Sequence, residues 1–276
     1  MTERRWGKWS GTAGLMLVVL VVAVPIAWMA LTSFKSNAEI DQQGTLLPAN
    51  WTLENYHLLF ANRSFGSYLQ NTLLITSASM LISLVIGTLA AYSLARFPLW
   101  RRLDRRLGFG ILTVRILPPI VIVVPLFLLA LNVGLINSRL SLVIVYSAFN
   151  VSFVVWMMES FFREIPVDLE EASMVDGSSR MAAFRRIVLP LAAPGLVATS
   201  IFGVIVTYNE FLLALVLTST KDAQTVPVGT ATLVSKITTD VGALAAAGVI
   251  AAIPIMIFAL IVQRHLVRGL TLGAVK

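Results

Sequence analysis

Apolar residues in this chain come in long unbroken runs, separated by short clusters of arginine, proline and glycine. A helix needs about 20 mostly apolar residues to cross a bilayer core about 30 Å thick. Six runs meet that length, near 12–33, 69–94, 108–131, 140–162, 195–218 and 242–263. Within hydrocarbon each unpaired backbone amide costs several kcal/mol, so a spanning segment must be a helix or part of a closed barrel. The runs lack the alternation of barrel strands, which leaves helices. The pattern therefore predicts an all-α integral membrane protein of six transmembrane helices, with residues 1–276 forming a single transmembrane domain. The first run, from Thr12 to Phe34, is longer than the core of a secretory signal and is followed by no small-residue cleavage pattern, so it reads as a retained anchor.

The basic residues orient the spans. One side collects Arg4, Arg5 and Lys8, then Arg96, Arg101, Arg102, Arg105 and Arg106, then Arg163, Arg180, Arg185 and Arg186, then Arg264, Arg268 and Lys276, which is 15 of the 21 lysines and arginines. The other side holds Lys35, Arg63, Arg139, Lys221 and Lys236, and Arg115 falls inside a span. The positive-inside bias places both termini in the cytoplasm.

Composition narrows the function. With 57% hydrophobic and 13% charged residues and a mean hydropathy of +0.84, lipid must be much of the solvent. The net charge of +7 fits anionic headgroups and cytoplasmic partners, and none of the basic modules that nucleic-acid binding requires is present. The chain has no cysteine, and His57 and His265 are too far apart for a local ligand motif, so no metal site is expected and both histidines read as surface residues. Glu159, Glu210 and Arg115 are raw material for an intramembrane enzyme, but no H-E-x-x-H or G-x-S-x-G accompanies them. An ion-coupled secondary transporter would call for an inverted repeat with paired broken helices, and none is evident.

The loops separate by chemistry. The outer stretch from Lys35 to Gln70 carries Trp51, Tyr56, His57 and Phe60, suited either to an interfacial aromatic belt or to an external partner. Arg96–Arg106, interrupted by Pro98, reads as a topology anchor. The longest polar stretch on the inner side is 163–194. In it Pro166 opens a first short helix, Gly177, Ser178 and Ser179 supply a turn and a new N-cap, and Pro190 ends a second helix. Leu169, Ala172, Ser173 and Asp176 share one side of the first helix, with Glu170 and Glu171 around the cylinder. Met181, Phe184, Ile187 and Val188 form an apolar face on the second. The expectation is a helix-turn-helix projection beneath the membrane.

Glu171-Ala172-Ser173, then Gly177, Ile187, Leu189 and Pro190, resembles the EAA loop of ABC importer permeases, E-A-A, three residues, G, nine residues, I-x-L-P. Every spacing fits, and Ser173 in place of the second alanine keeps the residue small. Leu46-Leu47-Pro48, Trp51 to Tyr56, Ala91 to Arg96, Arg115 to Pro119, Phe161 to Pro166, Tyr208 to Phe211 and Gly269 to Lys276 are similar, in the same order, to the maltose-type carbohydrate permeases.

That resemblance implies a half-pore in a bacterial or archaeal cytoplasmic (inner) membrane, paired with a second homologous permease. It would receive a sugar or oligosaccharide from an extracytoplasmic binding protein and sit on two copies of an ABC ATPase. A glycerol-phosphate diester is the alternative substrate. No enzymatic role is expected, since there is no G-x-x-x-x-G-K-[ST] phosphate loop, and ATP and Mg2+ would be bound by the partner ATPase. Glu170, Glu171, Ala172, Ser173, Asp176 and Gly177 would couple the loop to that ATPase. Tyr208, Asn209 and Glu210 would either line the substrate path or form a polar clamp between helices, Arg115 being a possible partner for a carboxylate. The prolines at 25, 118, 119, 125 and 254 serve as hinges or as static kinks.

Overall fold

The structure, a computed structural model, describes residues 3–41, 45–97, 110, 113, 117–234 and 240–273, with only the backbone described for 3–11, 13 and 263–273. Arg115, the arginines at 101, 102, 105 and 106, Lys236 and Lys276 lie outside the described residues. The described chain is helical. In order come α1 (Glu3–Thr32), α2 (Asn37–Asp41), α3 (Glu54–His57) running into a π-helical turn (Leu58–Asn62), α4 (Phe65–Arg96), α5 (Pro119–Asn132) and α6 (Arg139–Glu164). These are followed by α7 (Asp168–Val175), α8 (Arg180–Ala183) running into a second π-helical turn (Phe184–Val188), α9 (Leu189–Leu191), α10 (Ala193–Tyr208), α11 (Leu212–Leu217), α12 (Val226–Ala231) and α13 (Val241–Gly273).

Among the described residues, Gly14–Thr32, Phe65–Arg96, Arg139–Glu164 and Val241–Val262 are long and apolar enough to cross a membrane. They coincide with four of the expected spans. Within the third expected span, α5 has 14 residues and opens on Pro118 and Pro119, with Pro119 in its first turn. Pro118 and Pro119 thus open α5, at positions where a missing N–H costs little. The fifth expected span, 195–218, is broken. Helix α10 ends at Tyr208 and α11 begins at Leu212, because Asn209 and Glu210 bring polar side chains that bond the backbone locally. Hydropathy averaged over the run conceals that break.

The packing divides into two compact units, Met1–Gly66 with Gly229–Ile253, and Ser67–Val228 with Pro254–Lys276. In the first unit the buried Asn55 amide donates to the carbonyls of Ser33 and Lys35 at 3.0 and 2.8 Å. Tyr56 shares a hydrogen bond of 2.7 Å with the Ser33 hydroxyl, and the Phe34 ring packs on Trp51 and Tyr56. The segment after α1 is thus folded onto the end of that helix, while Trp51 and Phe60 keep large exposed apolar faces. Glu39 accepts from the Ala49 amide at 2.7 Å and from the Thr45 hydroxyl at 3.1 Å. The Ala49 bond is the main reason its carboxyl is held below the usual carboxylate range.

In the second unit α4, α6 and α10 associate through small and hydroxylated residues. Between apolar helices in lipid there is little hydrophobic force, so close packing and interhelical hydrogen bonds must hold them. The Ser83 hydroxyl donates to the Ser147 carbonyl at 3.1 Å, and Asn150 donates to the Thr207 hydroxyl at 2.7 Å. Gly87 lets α4 approach α6 so closely that a β-carbon there would lie 2.7 Å from Val154. Two apolar clusters flank this layer, one around Ile75, Leu142, Tyr146 and Leu217, the other around Tyr92, Met158, Phe162 and Phe184.

Candidate functional site

The segment after α6 is shaped by its prolines and its glycine. Ile165 precedes Pro166, which disfavours helical geometry at 165, and the residue is extended at φ −81°, ψ 123°. Helix α7 then starts with Asp168, Glu170 and Glu171 in its first turn, where carboxylates complement the helix dipole. At its other end the Gly177 amide bonds the Met174 carbonyl and the Ser178 amide bonds the Ser173 carbonyl, at 3.1 and 3.0 Å. Gly177 has φ +89° with open space around it, so glycine is needed there for conformation and not for room. Ser179 caps α8, accepting from the Ala182 amide at 3.3 Å. The expected helix-turn-helix is present.

Its second half differs from expectation. Pro190 does not end the helical path, which runs through the π-turn Phe184–Val188 and α9 to Leu191 and then bends by 69° into α10. In the π-turn the Leu189 amide bonds the Phe184 carbonyl, so Pro190 enters at the first turn of α9, where its absent N–H is tolerated. Of the face expected from Met181, Phe184, Ile187 and Val188, Phe184 and Val188 are buried, Ile187 is half-buried and Met181 is exposed.

The six candidate coupling residues separate into two groups. Glu171, Ala172, Asp176 and Gly177 are exposed and Ser173 is half-buried, beside Val175, which is 87% exposed. Glu170 points the other way and is buried. Its Oε1 accepts from Arg96 Nε at 2.5 Å, both side chains being 5% exposed, and its Oε2 accepts from the Tyr92 hydroxyl at 2.6 Å. Arg96 Nη2 donates to the Ile165 carbonyl at 2.8 Å. In the sequence, Arg96 reads as a topology charge and, together with Tyr92, as part of the similar stretch Ala91 to Arg96. Their spacing of four on one helix was the available sign that both face one partner.

The second candidate group is not brought together. Tyr208 is buried and lines a cavity of about 410 Å³ with Thr76, Ser77, Pro254 and Phe258. Asn209 is exposed and donates back to the Ile205 carbonyl at 2.8 Å. Glu210 lies in a different cavity, of about 190 Å³, with Tyr146, Asn150, Thr207 and Pro119. Its carboxylate accepts from the Tyr146 hydroxyl at 2.6 Å and from the amides of Leu213 and Ala214 at 2.9 and 3.2 Å. It therefore caps α11 and ties that helix to α6. Tyr146, the residue that completes this arrangement, carried no motif in the sequence.

The comparisons with known proteins agree with this architecture. The family described as the binding-protein-dependent transport system inner membrane component matches residues 83–272, and the chain belongs to that family. It is 39% identical over 265 residues to the trehalose transport system permease protein SugB of Mycobacterium tuberculosis, covering 94% of each chain. It is 33% identical over 277 residues to the diacetylchitobiose uptake system permease protein NgcG of Streptomyces coelicolor, covering 100% of this chain and 91% of that one. In fold it is similar to a chain of a bacterial ABC transporter involved in import of the acidic polysaccharide alginate, with a TM-score of 0.77 at 22% identity over 96% of this chain and 98% of that one.

The Glu210 geometry yields a stability prediction. A hydrogen bond to a charged group contributes about 1.5–3 kcal/mol. Tyr146→Phe and Glu210→Gln should each lower the thermal stability of the purified permease complex by about that much, and the double variant should lose less than the sum. Thermal unfolding in detergent checks this. Unchanged stability with an altered substrate profile would favour the substrate-path reading instead.

Proposed function

We propose that this chain is the permease half of an ATP-driven importer for a sugar or oligosaccharide. In this reading the whole chain acts as one membrane domain, pairs with a second homologous permease and rests on two copies of an ABC ATPase that bind ATP and Mg2+. An extracytoplasmic binding protein delivers the substrate. The arginine distribution supports a cytoplasmic position for both termini and for the 163–194 loop. The saccharide assignment is supported by the named substrates of the relatives, trehalose and diacetylchitobiose.

The observation that carries the coupling role is the α7–Gly177–α8 projection, which presents Glu171, Ala172, Ser173 and Asp176 on a short rigid frame with Val175 at its tip. A soluble engine moves a lipid-embedded helix only through a firm contact, and small residues let the two surfaces come close. Glu171 is free to accept a charge-assisted hydrogen bond from a basic residue of the ATPase. Glu210 serves as the clamp that holds the break between α10 and α11, and Tyr208 and Asn209 remain the candidates for contact with substrate.

Losing one partner of a buried charged contact costs about 2–5 kcal/mol, roughly thirty-fold or more in affinity. Glu171→Ala and Gly177→Asp should leave the chain inserted and paired with the second permease, yet reduce the ATPase subunit retained on purification and remove substrate-stimulated hydrolysis. Wild-type retention and transport in both variants would refute the docking role. The substrate class is tested by thermal-shift screening of the cognate binding protein against sugars, with glycerol-phosphate diesters as the competing outcome. Stabilisation by amino acids or metals alone would exclude a saccharide.

A further inference from the structure

Among the described residues Glu170 is the only buried carboxylate, although it stands in the loop whose neighbouring acids, Asp168 and Glu171, are exposed. Both of its oxygens are taken by one turn of α4, through Arg96 and Tyr92. The second arm of Arg96 holds the Ile165 carbonyl, so the same guanidinium fixes the entry to the loop. Tyr92 also anchors the exit. Its ring centroid lies 4.5 Å from that of Phe184 in the π-turn and 5.7 Å from that of Phe162 in α6. Next along the chain, Phe97 receives the Arg180 guanidinium at 4.9 Å. Both helices of the loop are thereby fastened to the end of α4.

Helix α4 then runs unbroken to the opposite end of the same unit. There Asn71 donates to the carbonyls of Lys221 and Gln224 at 2.9 and 2.8 Å, and the Thr72 hydroxyl accepts from the Val226 amide at 2.8 Å. From Thr72 to Arg96 the rise is roughly 36 Å. One stiff element is therefore tied to the 163–194 loop at one end and to the 221–226 segment at the other.

We infer that the Glu170–Arg96–Tyr92 cluster is the joint that transmits displacement of the loop to α4, with Glu170 a positioning residue and not part of the surface that meets the ATPase. The inference rests on the coupling role proposed for the loop. A buried ion pair is poor evidence of stability, since apolar residues of similar size often serve as well. What the pair adds is a fixed geometry. The charged fork of Arg96 can hold Glu170 and Ile165 at once only in one register, so loop and helix move together.

The test uses the assembled complex with its binding protein in proteoliposomes. The variant Glu170→Leu/Arg96→Met replaces the pair by apolar side chains. It should keep the ATPase subunit at wild-type stoichiometry and continue basal hydrolysis, while transport per ATP hydrolysed and stimulation by loaded binding protein fall about tenfold. Tyr92→Phe keeps the aromatic contacts and removes one hydrogen bond, so it should assemble even if the double variant does not, with a smaller loss of about threefold. Wild-type transport per ATP in either assembled variant would overturn the inference. Loss of the ATPase subunit from Tyr92→Phe or the double variant would also overturn it, by placing the cluster in the docking surface. Failure of the loop's docking role itself reads out separately, as wild-type ATPase retention in Gly177→Asp.

Discussion

A carboxylate buried among apolar residues must be neutralised and hydrogen-bonded, or it will not stay buried. Glu170 meets that condition only because Arg96 and Tyr92 sit four residues apart at the end of α4. Much of the loop's orientation follows from this constraint. With Glu170 turned inward, the helical period sets Glu171, Ala172 and Asp176 around the outer side of α7. The aromatic packing of Tyr92 on Phe162 and Phe184 then sets how the second half of the loop leaves α6 and re-enters the helical layer.

The same rule operates deeper in the apolar segments. Ser83, Ser147, Asn150 and Thr207 spend their hydrogen bonds between or within helices, which satisfies them without water and fastens helices that lipid alone would not hold together. Glu210 goes further, interrupting a helix and capping the next one. A polar group in such a run reports a structural junction as readily as a path for solute. The three residues Tyr208, Asn209 and Glu210, adjacent in sequence, illustrate this by facing two cavities and an exposed surface.

Hydropathy was enough to read the all-helical architecture and four spans, since a long apolar run has few alternatives in a membrane. The helix-turn-helix was legible because proline, glycine and serine act locally: Pro166 at the exit from α6, Gly177 at positive φ and Ser179 as a cap. What was not legible depends on partners distant along the chain. The inward turn of Glu170 needs Arg96, 74 residues away, and the break after Tyr208 is secured by Tyr146, 64 residues from Glu210. The passage of the helical path through Pro190 was missed for another reason, because a proline signals a stop unless a π-turn precedes it.

In the proposed arrangement the α7–α8 turn meets the ATPase and the far end of α4 lies on the opposite side of the membrane. The chain contains no cysteine, so a single introduced one is unique. The most direct measurement is site-specific cross-linking in the assembled transporter, with Val175→Cys at the exposed tip of the loop and Thr220→Cys beside the segment held by Asn71. The account predicts that Val175→Cys joins the ATPase subunit, with a yield that changes when ATP is bound, and that Thr220→Cys does not. A cross-link to the ATPase from Thr220→Cys, with none from Val175→Cys, would contradict it.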